Sequence, residues 1–355
     1  MPRITTDTVY AEARVEPSVA FDARYCCIRI DGAANKRFRV AIGKRSEFYK
    51  LTFVGWHRLS WTYDFVNGPW KPFDNIANDG DYWSGTNNEA FSQDTIYVCN
   101  LPVYPLARLD KEMDEWIANP LTRPTPSGDD NYIIGNLPAF TGPHNKALPS
   151  VDLRAVAIGT GPKKVALMLG VHPDELSLWM LPGAMEMLLG ESATSQALRD
   201  QYTFYVYPYM NPQGLYGGYT RLDPESATDA NRFWDNSQTA LRTEYRRLWE
   251  RDLDGLHALF DFHSAPYGEP HENPRELRFN PTDNEAVKAA YLAALSTRTT
   301  FADVTSSVSG SLRHYVSSTF GADISITVEH THNISENEPE WAALGANLMA
   351  ALADI

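Results

Sequence analysis

Five short apolar runs in the second half of the chain limit its possible folds more than any other feature. They are Ala155–Ile158, Val165–Leu169, Tyr202–Tyr207, Leu259–Phe262 and Ile324–Val328. Each reads as a buried strand. Stretches with helical patterning, such as Ser237 to Asp252 and Asn284 to Leu295, lie between them. Strand alternating with helix implies an α/β sheet with helices on both faces. Ligands of such folds sit beyond the carboxyl ends of the strands. His172, His263 and Glu329 all follow strand candidates, so three separate segments can deliver reactive side chains to one edge of the sheet.

Ahead of residue 120 the chain has a different character, rich in aromatics and turn residues. The runs 20–30, 36–42 and 93–99 alternate or carry β-branched and aromatic residues, and Gly, Asn, Asp or Pro flank them. Several such strands in a row suggest a small all-β domain, a sandwich. Asn119–Asp130 reads as the linker. The expected division is residues 1–120 as an N-terminal β-sandwich and 121–355 as the α/β unit. Trp56, Trp61, Trp70 and Trp83 are expected to pack the β domain.

Composition narrows the class. With 355 residues and 43% hydrophobic content, a substantial core is available. The formal net charge of -14 disfavours binding to nucleic acid or to an anionic membrane. Cys26, Cys27 and Cys99 form no spaced framework, so buried free thiols are expected rather than a disulfide scaffold. The first residues lack an apolar signal segment, and no apolar run approaches membrane-spanning length. A cytoplasmic location is the expectation.

The stretch His172-Pro-Asp-Glu175 carries the most chemical information. It follows a buried strand and precedes a helical stretch, Leu176 to Leu189, which Pro182-Gly183 should kink or interrupt. A His and a Glu three residues apart at a strand end can both turn toward one cation. A catalytic zinc takes three protein ligands and keeps one open position. His263, in Phe260-Asp-Phe-His-Ser264, is the expected third ligand. Between these segments lie Pro208-Tyr-Met-Asn-Pro-Gln-Gly214, Arg221 and Asp229-Ala-Asn-Arg232.

The order His-x-x-Glu, Asn-Pro-x-Gly, Arg, Asp-x-Asn-Arg, His, Glu resembles the zinc metallocarboxypeptidases of the funnelin family. The β domain in front, with Leu101-Pro-Val-Tyr-Pro-Leu-Ala-Arg108 near its end, looks most like the cytosolic carboxypeptidase subfamily. The fold so implied is an N-terminal β-sandwich followed by an α/β/α zinc-carboxypeptidase-like catalytic domain with a mixed sheet. The resemblance implies one Zn2+ per chain on His172, Glu175 and His263, polarising the scissile carbonyl and activating water. Asp229 matches the acid behind the first zinc histidine, with Asp261 as the second candidate. Arg221 matches the arginine that stabilises the developing oxyanion. Asn231 and Arg232 match the pair that holds a terminal carboxylate. Glu329 matches the general base, which passes a proton from the attacking water to the leaving amine.

Arg313, 16 positions before Glu329, falls where the subfamily carries an arginine that reads an acidic terminal side chain. Its neighbours Leu312 and His314 depart from the family's pattern. The implied substrate is a peptide or small amide with a free carboxylate. A second reading keeps the zinc and changes the substrate to small N-acyl amino acids, as in aspartoacylase-type deacylases, although the large β domain argues against it. A third, a non-enzymatic binding module, would lack a ligand or the base, and none is missing. Asn211, Pro212 and Gly214 read as turn formers. His330 and His332 read as residues behind the site or on the surface. His57, His144, His257, His271 and His314 show no partner pattern.

Overall fold

The computed structural model describes residues 3–5, 8–12, 27–43, 59–79, 82–99, 102, 104–173, 175–219, 221–265, 275–331 and 338–355. Ahead of residue 100 the described strands are β1 (Arg3–Thr5), β2 (Thr8–Glu12), β3 (Cys27–Ile30), β4 (Arg39–Gly43), β5 (Ser60–Thr62), β6 (Lys71–Pro72), β7 (Asn75–Asp79), β8 (Tyr82–Thr86) and β9 (Ile96–Cys99). They form two sheets, ordered β1-β2-β4-β8-β7 and β3-β9-β5-β6. Val40 and Ile42 of the first share one core with Ile30, Trp61, Ile96 and Val98 of the second. Two sheets, each with one apolar face, bury those faces against each other as a sandwich.

The pairing of β3 with β9 corrects the expectation of free thiols. Cys27 stands opposite Cys99 in the antiparallel register, and the two form a disulfide. Strand register comes from tertiary pairing, so the spacing of the cysteines along the chain does not reveal it. Cys26, Trp56, His57, His271 and His332 lie outside the described residues, as does the side chain of Trp83.

The remainder comprises α1 (Leu106–Ile117), β10 (Thr122–Arg123), β11 (Ile133–Leu137), β12 (Phe140–Gly142), β13 (Lys146–Leu148), β14 (Val151–Arg154), β15 (Val156–Ile158), β16 (Lys163–Leu169), α2 (Leu181–Leu189), α3 (Ala193–Gln201), β17 (Tyr202–Tyr207) and α4 (Pro212–Gly217). After these come β18 (Leu222–Asp223), β19 (Thr228–Asp229), α5 (Ala240–Asp252), β20 (Leu256–Ala265), β21 (Arg275–Phe279), α6 (Glu285–Ser296), β22 (Ala302–Thr305), α7 (Leu312–Phe320), β23 (Ile324–Thr331) and α8 (Glu338–Leu352). One sheet runs β10-β15-β17-β16-β20-β23-β21-β22. Its centre, β17-β16-β20-β23, is parallel, whereas β15 and β21 join antiparallel, so the sheet is mixed.

Alternation along each strand sends side chains to two separate cores. Val165, Leu167, Phe260, Phe262, Ile326 and Val328 face one core, which α1, α2, α6 and α8 cover. Ala166, Met168, Tyr205, Tyr207 and Leu259 face the other, under α5 and α7. Leu109 and Met113 of α1 sit in the first core, and β10, inside the expected linker, pairs with β15. Trp70 packs against that same large core rather than only within its own sandwich. No helix of the described residues is long and apolar enough to cross a membrane.

The stretch after Glu175 is helical over the expected range, and its division falls just ahead of Pro182. It opens as a 3-10 turn, Leu176–Met180, and α2 begins at Leu181. Pro182 falls in the first turn of α2, where its missing N–H would have had no helical acceptor, so it starts the helix instead of breaking it.

Candidate metal centre

The site lies where the two-residue period of the central strands brings polar side chains onto one face. On β20, Phe260 and Phe262 turn into the core while Asp261 and His263 turn the other way. On β23, Ile326 and Val328 alternate with Thr327 and Glu329, and on β21, Leu277 and Phe279 alternate with Glu276 and Arg278. Register then sets the neighbours across the sheet. His263 stands beside Glu329, and Glu329 beside Glu276. One pleat back, Asp261 stands beside Thr327, and Thr327 beside Arg278.

The neighbouring strand β16 supplies the other half. Gly170, with φ +72, turns the chain at its end. His172 and Glu175 follow, only 2% and 6% exposed. Glu175 bridges the two histidines: Oε1 lies 2.7 Å from His172 Nδ1, and Oε2 lies 2.9 Å from His263 Nδ1. The Ser264 amide also donates to Oε2 at 2.9 Å. One donor atom from each of these three residues falls within 4.8 Å of the others.

The far ring nitrogens are tied down as well. His172 Nε2 is 3.0 Å from Asp229 Oδ1. His263 Nε2 is 3.0 Å from Asn231 Nδ2 and 3.1 Å from Asp261 Oδ1, the latter close enough for an ion pair but off the line of a good hydrogen bond. Asp229 therefore stands behind His172, the first histidine of the group, and Asp261 behind His263. With the back of each ring held, both Nδ1 atoms face the same point. Two imidazoles and a carboxylate so arranged are a donor set that suits zinc.

Charge is concentrated here. Burial alone would raise the Glu175 carboxyl, but His172 and His263 outweigh it and hold it well below the usual carboxylate range. Burial would lower His263, but the Asp261 and Glu175 carboxylates outweigh that and hold it well above a usual histidine. Asp229 is likewise lowered, because His172 and Arg221 prevail over its burial.

The remaining expected site residues gather around one cleft of about 170 Å³. Arg221, Asn231, Arg232, Arg313 and Glu329 line it together with the His-Glu-His group, and Asp229 stands behind. Arg221 Nε donates to Asp229 Oδ2 at 2.9 Å. The Asn231 amide is oriented by Leu312 N, which donates to its Oδ1 at 2.8 Å and so turns Nδ2 toward His263. Arg313 is 2% exposed at the start of α7. It donates to the carbonyls of Arg278 and, at 2.8 Å, of Ser306.

Arg278 also lines the cleft, and the sequence reading does not include it. Its guanidinium pairs with Glu276 at 2.9 Å. The signal was present in the alternation Arg275-Glu-Leu-Arg-Phe279, which has the period of a half-buried strand. His330 is buried on β23, with Ser264 and Arg275 as its strand neighbours. Asn211 caps α4, accepting from Gly214 N at 3.0 Å, and its amide donates to the Leu222 carbonyl at 2.9 Å. His257 pairs with Asp323 at 2.7 Å, away from the cleft.

No protein-family model matches the chain. Cytosolic carboxypeptidase 1 of Xenopus laevis is 42% identical over 72 residues, 20% of this chain and 6% of that protein. Cytosolic carboxypeptidase 2 of Xenopus tropicalis is 36% identical over 93 residues, 25% of this chain and 9% of that protein. The chain thus matches less than a tenth of the length of these relatives. Among solved structures, a metallo-carboxypeptidase from Burkholderia cenocepacia superposes with a TM-score of 0.76 at 19% identity, covering 99% of this chain and 94% of its own. One from Pseudomonas aeruginosa, solved in complex with (2-guanidinoethylmercapto)succinic acid, gives 0.75 at 14% identity, covering 99% and 94%. Along nearly its whole length the chain thus has the fold of these solved metallo-carboxypeptidases, and over the matched stretch its sequence is similar to that of the cytosolic carboxypeptidases.

Proposed function

We propose that the chain is a zinc-dependent carboxypeptidase that hydrolyses a C-terminal or side-chain-linked amino-acid amide bond by a promoted-water mechanism, with a preference for an acidic terminal residue. The observation that carries this reading is the convergence of the His172, Glu175 and His263 donor atoms next to Glu329, in one cleft with four arginines. Zinc held by those three residues would polarise the scissile carbonyl and lower the pKa of water. Glu329, one strand over from His263, would take a proton from the attacking water and return it to the departing amine. Arg221, braced by Asp229, supplies positive charge where the carbonyl oxygen becomes anionic. Asn231 and Arg232 hold the terminal carboxylate. In the metal-ligating tautomer His263 Nε2 carries the proton and cannot accept from Asn231 Nδ2, which leaves that amide for substrate.

Arg313 and Arg278 support the acidic preference. Arg313 is buried in the cleft wall and the bonds it makes there run to carbonyl and hydroxyl oxygens, with no carboxylate in ion-pair range among the described residues. Asp261, Asp283 and Glu329 act on it only at longer range, so a buried guanidinium in direct contact with no carboxylate favours an anionic ligand. The division of labour we propose is a sandwich in the first 120 residues and a catalytic domain in 121–355, with α1 packing into the catalytic core.

The test pairs metal content with turnover. Purified protein should hold about one zinc per chain and release single C-terminal residues from a peptide panel, fastest for Glu or Asp. Glu329→Gln should keep the zinc and lose roughly 10²–10⁴-fold in kcat. Zinc present with no peptide cleaved would favour the small N-acyl amino acid deacylase. A chain that takes up no zinc sinks the catalytic reading.

A further inference from the structure

Arg242 is wholly buried in the first turn of α5 and is not among the groups that line the cleft. Its Nη1 donates to Asp223 Oδ2 at 2.9 Å and to Ser237 Oγ at 3.0 Å. Its Nη2 donates to the backbone carbonyl of Asp229 at 3.0 Å. Asp223 and Asp229 belong to the two paired strands of the β18–β19 hairpin, so one planar guanidinium spans the hairpin from behind. From the front, the Asp229 carboxylate serves three groups. Oδ1 meets His172 Nε2 at 3.0 Å and accepts from Asn231 N at 2.8 Å, and Oδ2 accepts from Arg221 Nε.

Stability is a weak reason to bury such a pair, because an apolar pair of similar volume often serves as well. Geometry is a better one. A rigid two-pronged donor reaching two separate acceptors fixes both the position and the tilt of the hairpin, which a lysine's point charge cannot do. We propose that Arg242 is a positioning residue for the metal centre: by pinning the Asp229 carbonyl and the Asp223 carboxylate, it sets where the Asp229 carboxylate meets His172, Arg221 and the Asn231 amide. The inference rests on the zinc-site reading above. Loss of the fork lets the hairpin turn, which weakens the hold on His172 and displaces the Asn231–Arg232 pair.

Zinc dissociation constants of the full chain, measured by competition with a chromogenic chelator, test this. The variants are R242M, R242K, D229A and the R242M/D229A double. R246M is the control, since Arg246 anchors the same helix to the Trp234 and Ser237 carbonyls and bonds neither aspartate. R242M and R242K are expected to weaken zinc binding roughly 10-fold. The losses in the double variant should fall short of adding, because both residues act through one carboxylate. KM for carboxylate-terminated peptides should rise by more than kcat falls, while R246M binds zinc as the wild type does. R242K, which keeps a charge opposite Asp223, covers the case in which R242M does not fold. Wild-type affinity in the Arg242 variants, equal weakening by R246M, or fully additive losses would overturn the inference alone. A wild-type chain that binds no zinc overturns the zinc-site reading and the inference with it.

Discussion

In the acidic preference proposed above, Arg278 and Arg313 would divide one task between a half-buried and a fully buried guanidinium, and single substitutions can separate them. Arg278→Met should raise KM for peptides ending in Glu or Asp by roughly 10-fold or more, the cost of one charged hydrogen-bond partner, and leave peptides ending in Ala nearly unchanged. Equal effects on both peptide classes would remove Arg278 from side-chain recognition. Asp252 makes a residue-scale prediction about stability. Burial pushes its carboxyl above the usual range, against hydrogen bonds from Tyr207 Oη at 2.7 Å and Ser127 N at 2.8 Å. A raised folded value means that this group's contribution is full below the ordinary aspartate range and is lost as pH rises through the folded value. Asp252→Asn removes that titration. In urea unfolding at about pH 4 and about pH 7, wild-type stability relative to the variant should therefore fall at the higher pH. A difference that stays constant or grows contradicts the assignment.

At the scale of elements, the crossing of α2 and α8 supports the chain just after Glu175. The helices approach so closely that a Cβ on Gly183 would sit 1.8 Å from the Ala342 carbonyl oxygen. One on Gly345 would sit 1.9 Å from the Met180 carbonyl oxygen. Alanine favours an isolated helix over glycine by about 1 kcal/mol, but here the added methyl meets backbone. Gly345→Ala should destabilise by about 1–3 kcal/mol in denaturant melts, the usual cost of overpacking. A neutral or stabilising result would mean that the two helices have room to separate.

For the whole molecule, two constraints act on the unfolded and folded states separately. The Cys27–Cys99 disulfide closes a sequence separation of 72 residues, which in the chain-entropy model stabilises by up to about 4 kcal/mol. Cys99→Ser should lower stability toward that limit, and thiol titration of the denatured chain should find two more thiols after reduction than before. The proposed zinc would act by mass action on the folded state. At a free concentration ~100 times its Kd it adds about 2.7 kcal/mol, so a chelator should lower the melting temperature and added zinc restore it. A melting temperature indifferent to chelator would argue against a metal on His172, Glu175 and His263.

Much of this protein is determined by its sequence alone, because the relevant signals are local. The runs Val165–Leu169, Tyr202–Tyr207 and Ile324–Val328 are apolar over a strand's length, and they fall on β16, β17 and β23. His172, His263 and Glu329 are legible because each follows or ends such a run. What the tertiary structure alone decided is register and approach between segments distant in the chain. Pairing put Cys27 opposite Cys99 and Glu329 beside His263, and it brought Arg278 to the cleft from a strand with no motif of its own. Packing turned Pro182 into a helix start, drew α1 into the large core and set Arg242 behind Asp229. Local patterning fixes which face a residue occupies, whereas the partner on that face follows from the free energy of the whole packed sheet.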